Sequence, residues 1–477
     1  MSDSTPNSLR NDALAIWRAG VDAVRSDRLV EQVISSNNDQ LEIAGESVIL
    51  SKSAQIAVVG GGKAGTGMAI GCERALRSLD SSHRRTGWLN IPADCVQPTD
   101  WIHLHPARPA GLNEPTAAGV AGTEKILDIV SELGPEDICL VLLSGGGSAL
   151  LPAPVKGISL ADKQAVTRFL MKSGATITDL NRVRRKLSAI KGGGLLRECR
   201  AGRMFVLVLS DVLNDPLDII ASGPTIPDDT PTRDVITLLR SFPGSDAAVP
   251  QSVWTVLQQL ADQDSTSLTD TPTDHPSPQT ETPCRVRHHV IGNNRTALTQ
   301  AAQAATERGY TVVDIETNIA GVAADLGRNL ARRALELRHD PNCRPLCLLS
   351  GGEPIVLFDR TADDTTPPPK GGRNQELALA ALVEFGDIRP DGIVLLSGGT
   401  DGEDGPTDAA GGIADLNVWQ QARTLQLDPL QALATHESYN FLQATGGLIQ
   451  TGPTHTNVMD LRVVLIDAAS PVAVPPE

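Results

Sequence analysis

In the stretch LVLLSGGGSALLPAP (residues 140–154), an apolar run stops at a serine and breaks into glycines. The same LLSGG occurs at 142–146, 348–352 and 395–399, and VVGGGK at 58–63 ends in a similar way. An apolar run that opens into glycines is typical of a buried parallel strand followed by a turn. Ligands bind outside the carboxyl ends of such strands, so the four stretches predict binding sites at sheet edges.

Strands and helices alternate through most of the chain after a first amphipathic helix predicted over 8–35. This alternation predicts two Rossmann-like α/β domains with mostly parallel sheets. The segment 263–284 is rich in Ser, Thr, Asp and Pro and reads as a polar linker or insert. We therefore expect domains over 1–285 and 286–477, and the stretch 418–477 could pack back on the first domain.

Composition excludes several classes of protein. The 477 residues are 40% hydrophobic but only 3% aromatic, which suits sheets covered by Ala-rich helices, and the formal net charge is −16. Nonspecific nucleic-acid binding depends on Lys and Arg, so this charge argues against it. The seven scattered cysteines do not suggest a disulfide framework, and no apolar run reaches the length of a membrane span. We expect a cytoplasmic protein without nucleic-acid or membrane partners.

The turn after the first apolar run resembles two phosphate-binding motifs and matches neither well. Gly60, Gly62 and Gly65 satisfy the dinucleotide fingerprint G-x-G-x-x-G. The fingerprint also expects an acid at the end of the next strand, about 20 residues on, but Asp80, at nearly that distance, precedes the next apolar run. The Walker A pattern fails as well, since Lys63 is not followed by Ser or Thr. The turn is nevertheless suited to an anion.

Several charged side chains lie where they are unfavourable for stability alone. Lys63 at a strand-to-helix junction opposes the positive end of the helix dipole, which favours an anionic ligand. Asp211 follows the strand FVLVLS, where it acts as a general base or metal ligand, or only caps a turn. Arg373 begins a helix and suits the charge of a transferring phosphoryl group. The basic stretch 182–194 includes Lys191, the residue expected to point at a ligand.

An acidic loop, TDGEDGPTDAAGG at 400–412, carries Asp401, Asp404 and Asp408 among glycines. Carboxylates on such a loop are suitable ligands for Mg²⁺. The alternative is a solvated acidic turn, and the sequence leaves both interpretations open.

With these motifs in hand, the chain resembles the glycerate 2-kinases that have a MOFRL-type C-terminal domain. The resemblance is carried by VVGGGKAGTGMA, LLSGGGSALLPAP, SGATITDLNRVRRKLSAIKGGGL, LSDVLNDPLDIIASGPT, LLSGGEP, GGRNQELAL, SGGTDGEDGPTDAAG and TGPTHTNVMDL. It implies transfer of the γ-phosphoryl group of ATP to D-glycerate, giving 2-phosphoglycerate, with Mg²⁺. It also implies an active site in a cleft between two α/β domains that do not have the P-loop fold.

Matched by motif, the resemblance makes Lys63, Asp211 and Arg373 the catalytic residues and the acidic loop the metal site. The residues expected to bind ATP or substrate lie at the glycine-rich strand ends and beside them. They are Gly60, Gly61, Gly62, Ser144, Gly145, Gly146, Gly147, Ser148, Lys191, Ser350, Gly351, Gly352, Glu353, Asn374 and Thr400.

Three departures from the family pattern bear on the site. The HPARPAGLNEP loop at 105–115 is longer than the usual HPxP form. His455 stands where the family usually has a glycine, close to Asn457 and Asp460. The polar segment 263–284 is not a family feature.

Two alternatives stay open at this point: an NAD(P)H-dependent hydroxypyruvate reductase and a non-catalytic sensor of sugar phosphates or nucleotides. The reductase is favoured by the G-x-G-x-x-G match. The acidic loop, however, has no role in hydride transfer. A homodimer is also left open.

Overall fold

A computed structural model describes residues 6–109, 111–112, 114–267, 284–340, 344–357 and 369–467. The chain forms two compact units. The N-terminal unit is Ser26–Ile291, and the C-terminal unit combines Met1–Arg25 with Gly292–Glu477. Most of the predicted polar segment 263–284 lies outside the described residues.

The helices, numbered along the chain, are α1 Pro6–Ala23, α2 Ser26–Val33, α3 Gly65–Ala75, α4 Ala117–Ser131, α5 Gly147–Leu150, α6 Leu160–Lys172, α7 Ile177–Lys186, α8 Gly194–Glu198, α9 Thr232–Ser241, α10 Ser245–Ala248, α11 Gln251–Ser267, α12 Asn294–Glu307, α13 Ala323–Arg338, α14 Arg373–Phe385, α15 Leu416–Thr424, α16 Pro429–Ala434 and α17 Ser438–Thr445. Within the described ranges, no helix is both long and apolar enough to cross a membrane.

The strands are β1 Ile34–Asn37, β2 Gln40–Ile43, β3 Glu46–Ile49, β4 Ile56–Gly61, β5 Arg85–Pro92, β6 Ile102–Arg108, β7 Ile138–Leu143, β8 Arg203–Leu209, β9 Arg285–Gly292, β10 Thr311–Ile319, β11 Leu346–Gly352, β12 Ile393–Gly399, β13 Gly411–Asp415, β14 Leu448–Ile449 and β15 Asp460–Ile466. Strands β1–β3 form a small antiparallel sheet of their own.

The large sheet of the N-terminal unit has the Rossmann strand order, which confirms the prediction of a Rossmann-like domain there. Its strands lie in the order β6-β5-β4-β7-β8-β9, and the pairs from β6 to β8 are all parallel. Strands β4 and β7 are buried at every residue, which explains their continuous apolar sequences. The chain leaves β4 for β5 on one side and leaves β7 for β8 on the other side. The edge beyond these two strand ends is therefore the topological switch point, where ligands of such sheets bind.

The sheet of the C-terminal unit is mixed, and the expectation of a mostly parallel sheet is wrong here. Its order is β10-β11-β15-β12-β13-β14, and β10–β11 is its parallel pair in the described part of the chain. The reason is that β15, from the end of the chain, inserts between β11 and β12 and runs antiparallel to both. Strands β11 and β12 still run in the same direction. Their carboxyl ends therefore share an edge with the start of β15.

The two ends of the chain belong to the C-terminal unit, unlike the expected division. Strand β15, within the stretch 418–477, is a central strand of that unit's sheet. Helix α1 packs on the same unit, where Trp17 is 1% exposed among Leu461, Val463 and their neighbours. Arg10 of this helix also pairs with Asp415 at 2.5 Å. These contacts join residues hundreds of positions apart, which local sequence patterns do not reveal.

Candidate active site

At the switch point of the N-terminal unit, glycines allow two strands to approach closely. Gly60 and Gly62 have φ of 148° and 147°. A Cβ on Gly60 would overlap the carbonyl oxygen of Leu142, and one on Gly62 would overlap Ser144 Oγ. Ser144 Oγ instead accepts a hydrogen bond from the backbone N–H of Ala64 at 3.0 Å, next to the start of α3. The glycines are thus required by the packing of β4 against β7.

Two cationic side chains meet at the turn that follows β7. Gly146 has φ of 75°, and a Cβ placed on it would lie 3.4 Å from Lys63 Cγ and 3.6 Å from Arg108 Nη2. The backbone N–H of Lys63 donates to the carbonyl oxygen of Gly145 at 2.8 Å. Arg108 is buried at the end of β6. Sequence reasoning did not select Arg108, which lies in the HPARPAGLNEP segment at 105–115 and is the last residue of β6.

The remaining groups at this edge follow β7 and β8. Asp211 comes two residues after the end of β8 and is partly exposed; because β8 pairs in parallel with β7, it lies at the same edge as Ser144. Lys191 is only 3% exposed. Its Nζ donates to Ser148 O and Oγ, both at 3.0 Å, and to Ala221 O at 3.1 Å. Burial, together with the nearby charge of Lys163, holds the pKa of Lys191 well below its usual range. Through these hydrogen bonds, Lys191 connects the segment that follows β7 to the turn at Ala221.

In the C-terminal unit, the second and third LLSGG repeats flank one buried carboxylate. Gly352 at the end of β11 and Gly399 at the end of β12 are both in register with Asp460, the first residue of β15. The glycines are therefore the last residues of their strands and do not form a separate turn. Asp460 is 0% exposed. Its position at the sheet edge makes it the anchor of this site.

Arg373, the first residue of α14, binds this carboxylate with two hydrogen bonds. Its Nε lies 2.8 Å from Asp460 Oδ2 and its Nη2 lies 3.0 Å from Oδ1. The third nitrogen, Nη1, donates to Glu353 Oε1 at 2.8 Å. Arg373 remains 32% exposed. It is therefore held in a fixed orientation at the sheet edge with one side open to solvent, as a binding group for an anion requires.

Asp404 of the acidic loop caps the start of α14. It is buried, and its carboxylate accepts hydrogen bonds from the backbone N–H groups of Asn374 at 3.0 Å and Gln375 at 2.9 Å. Burial raises the pKa of Asp404 to about 6, and the charge of Asp460 adds to this while the two N–H groups oppose it. Asn374 is buried as well and accepts a hydrogen bond from Ser397 Oγ. These two predicted site residues hold α14 against the sheet.

Each of the three carboxylates predicted to bind metal accepts hydrogen bonds from other groups of the protein. Asp408 accepts hydrogen bonds from Tyr439 Oη at 2.6 Å and Gln450 Nε2 at 3.0 Å. Asp401 accepts one from the backbone N–H of Glu403 at 3.1 Å. In the part of the chain that the structure describes, no three His, Cys, Asp or Glu side chains are grouped as a metal site would need. The acidic loop therefore does not fit a preformed Mg²⁺ site.

Comparison with known proteins identifies the family. Residues 12–258 match the family model described as a domain of unknown function, DUF4147, and residues 346–460 match the MOFRL family. A D-glycerate 2-kinase of Thermotoga maritima is 35% identical over 466 residues, which cover 97% of this chain and 99% of that protein. The chain belongs to the glycerate kinase family.

A crystal structure and a second relative extend this comparison. The crystal structure of glycerate kinase from Thermotoga maritima has a TM-score of 0.75 at 34% identity, over 96% of this chain and 100% of that one. A protein of Agrobacterium vitis named as a putative hydroxypyruvate reductase is 34% identical over 86% of each chain.

Other residues predicted from the glycerate kinase motifs have structural contacts at the C-terminal edge. Thr400 Oγ1 donates to the carbonyl oxygen of Met459 at 2.6 Å and accepts from the N–H of Val458 at 2.8 Å. Gly351 lies so close to Asn294 that a Cβ would overlap its amide. His455, at the usual glycine position, has φ of 57°, a conformation that favours glycine.

The structure thus gathers the predicted residues other than Asp408 at two sheet edges, one in each unit. The N-terminal edge holds Gly60, Gly61, Gly62, Lys63, Ser144, Gly145, Gly146, Gly147, Ser148, Lys191 and Asp211. The C-terminal edge holds Ser350, Gly351, Gly352, Glu353, Arg373, Asn374, Thr400, Asp401 and Asp404. Sequence reasoning named Asp460 only for its closeness to His455 and missed its pairing with Arg373.

Arg462 is a further buried cation of this edge that the sequence did not single out. It is in register with Ser350 on one side and Ser397 on the other, two residues after Asp460. Its Nη2 lies 3.4 Å from the carbonyl oxygen of Gly352. Burial lowers the pKa of Arg462, while the charge of Asp460 opposes this. The sequence does not indicate a functional role for Arg462, because its neighbours Ser350 and Ser397 lie on strands that are distant in the chain.

Proposed function

We propose that the protein transfers the γ-phosphoryl group of ATP to the 2-hydroxyl of D-glycerate, giving 2-phosphoglycerate and ADP. The observation that carries the proposal is the near full-length similarity to a D-glycerate 2-kinase. In this reaction the substrate oxygen forms a bond to the γ-phosphorus, and the bond from that phosphorus to the ADP oxygen breaks. The hydroxyl proton must leave during the same process, so the protein has to supply a base and groups that bind anions.

The N-terminal edge offers both kinds of group. We assign the base to Asp211, because a carboxylate just beyond a strand end is partly exposed and able to accept the hydroxyl proton. We assign anion binding to Lys63, which lies with Arg108 beside the Gly146 turn. The positive end of α3 begins two residues after Lys63 and attracts negative charge to the same place. These roles remain proposals that mutagenesis can test.

The C-terminal edge offers a guanidinium held in place. Arg373 is fixed by Asp460 and Glu353, and a planar guanidinium suits the charge spread over the oxygens of a transferring phosphoryl group. Mg²⁺ is expected only as the companion of ATP, since the acidic loop does not form a preformed metal site in the described residues.

A paired assay tests the function. Purified protein is supplied with D-glycerate and MgATP while ADP is measured, and separately with hydroxypyruvate and NADH while absorbance is followed. We expect ADP formation and no loss of NADH. The phosphorylated carbon is then identified by phosphorus-coupled NMR of the product. Absence of ADP formation refutes the kinase proposal, and a 3-phosphorylated product refutes the assigned position.

The residue roles require variants with a matched control. We expect Lys63→Met, Asp211→Asn and Arg373→Met each to lower kcat by ~10²-fold or more, as loss of a positioned charge does. Lys125→Met is the control, because Lys125 is exposed on α4. Turnover within a few-fold of the parent in all three variants, with the control unchanged, contradicts the assignment.

The hydroxypyruvate reductase is retained as the second candidate because one relative carries that name. The Rossmann strand order of the N-terminal unit is compatible with a dinucleotide. Against it, Asp80, the acid at nearly the expected distance along the sequence, precedes β5 and does not end it. Oxidation of NADH in the paired assay would favour this candidate.

A further inference from the structure

An amine without a counter-ion lies inside the N-terminal unit. Lys163 belongs to the buried stripe of α6, together with Val166 and Leu170, and is only 7% exposed. Among the described residues, its Nζ has no hydrogen-bond partner and forms no ion pair. Burial, with a smaller effect from Arg184, lowers the pKa of Lys163 to about 7. A buried charge without a partner is unfavourable, so its presence calls for a compensating group.

Arg184 is a second cation without an ion-pair partner among the described residues. Its neighbours in sequence are compensated: Arg185 lies 2.8 Å from Asp218 and Lys186 lies 3.3 Å from Asp228. Arg184, in contrast, forms no ion pair with any residue that the structure describes, and burial lowers its pKa. It is partly exposed. Solvent can therefore reach the Arg184 guanidinium, while the nearby Asp218 and Asp228 form ion pairs with Arg185 and Lys186.

The helix that carries Arg184 lies close to the exit of β7. Asn181 precedes Arg184 by three residues on α7, so the two share one helix face. Asn181 Oδ1 accepts a hydrogen bond from Ser222 Oγ at 3.1 Å, and that hydroxyl lies 3.0 Å from Ser148 Oγ, just beyond the first LLSGG repeat.

Lys191 completes the group, because its Nζ donates to Ser148 Oγ at 3.0 Å. The charges of Lys163 and Arg184 both act on Lys191 and help to lower its pKa. Ser148 thus contacts Lys191 and is linked through Ser222 and Asn181 to the helix that carries Arg184. These cations belong to a chain whose net charge is −16.

We propose that Lys163 and Arg184 form a cationic subsite that takes the carboxylate of the hydroxy-acid substrate. The identity of that substrate rests on the proposed function. A carboxylate bound to Arg184 would place negative charge beside two amines that have no acidic partner in the described structure. A guanidinium binds a carboxylate through two parallel hydrogen bonds, which also fixes the orientation of the 2-hydroxyl. The subsite adds a substrate-positioning group that the glycine-rich motifs do not contain.

Variants on the same helices test this subsite. Lys163→Met and Arg184→Met remove each charge, and Lys172→Met and Arg182→Met are exposed controls on α6 and α7. We expect the KM for D-glycerate to rise ~10- to 100-fold in the first two, as loss of a charged hydrogen bond predicts, with the KM for ATP little changed. Arg184→Lys should recover part of the loss. Equal KM values for D-glycerate in the test and control variants would overturn the proposal.

A binding measurement without ATP separates this proposal from the proposed function. The unfolding temperature of each variant is measured with D-glycerate, with glycerol, which lacks the carboxylate, and with inorganic phosphate. We expect D-glycerate, but not glycerol, to stabilise the parent and both controls, and this gain to be lost in Lys163→Met and Arg184→Met. Such a result supports the subsite even if no ADP is formed. Loss of the phosphate effect alone, with the D-glycerate effect intact, would refute the assignment to a carboxylate.

Discussion

The pairing of Arg373 with Asp460 gives the sharpest quantitative prediction. Asp460→Asn keeps the shape of the side chain but removes its charge, so one of the two hydrogen bonds at 2.8 and 3.0 Å loses its acceptor oxygen. An amide N–H then faces the guanidinium N–H groups. The matched control is Glu353→Gln, which changes the other carboxylate bound by the same arginine at 2.8 Å.

The two substitutions differ in burial, and burial sets the magnitude. Asp460 is 0% exposed, while the Glu353 side chain is 50% exposed. Loss of a buried charged hydrogen bond costs ~1.5–3 kcal/mol, and the uncompensated guanidinium adds to this, so we expect a loss of ~2–3 kcal/mol in the free energy of unfolding. The exposed pair contributes ~0–1 kcal/mol at most. Misplacement of Arg373 should also lower kcat by ~10- to 100-fold in Asp460→Asn.

Urea unfolding and steady-state kinetics of the two variants check these values. The slope of the unfolding transition should stay the same, so that the shift in midpoint reports stability. If Asp460→Asn and Glu353→Gln lose equal stability, or if the asparagine variant keeps the kcat of the parent, then Asp460 does not hold Arg373 in its working orientation.

Three further substitutions have defined outcomes. Gly60→Ala should destabilise the protein far more than Gly45→Ala in urea unfolding, because both positions have positive φ but only Gly60 faces a backbone oxygen, that of Leu142; equal losses would contradict this. Burial lowers the pKa of Lys163 to about 7 in the folded protein, so the charged amine destabilises the fold and the neutral amine does not. The free energy of unfolding should therefore be highest above pH ~10.5 and should fall as the pH drops to about 7. Lys163→Met should therefore be more stable than the parent at pH 7, with the difference shrinking as pH rises. Arg373→Lys should lower kcat by ~10-fold or more, since an ammonium group cannot reproduce two parallel hydrogen bonds, and near-parent turnover would argue against this.

The structure also revises the interpretation of the glycines. The sequence predicts that all three LLSGG repeats form one kind of exit from a strand, suited to a ligand. In the first repeat, β7 ends at Leu143 and the following residues form the turn. In the other two, the glycines stay within β11 and β12 and pair with β15. The same five-residue sequence therefore adopts two different backbone structures, because the length of the neighbouring strand determines where the hydrogen-bonded strand pairing ends.

Local sequence patterns predict the strands and several charged site residues of this protein. Buried apolar runs marked the strands, and charges placed against the helix dipole marked Lys63 and Arg373, because both signals depend only on near neighbours in the chain. The tertiary structure alone decided the partners. Asp460 meets Arg373 across 87 positions because β15 inserts between two distant strands. Asp404, which reads as a metal ligand, caps α14, and burial there raises its pKa to about 6. Burial and long-range pairing depend on the folded chain, so no local pattern specifies them.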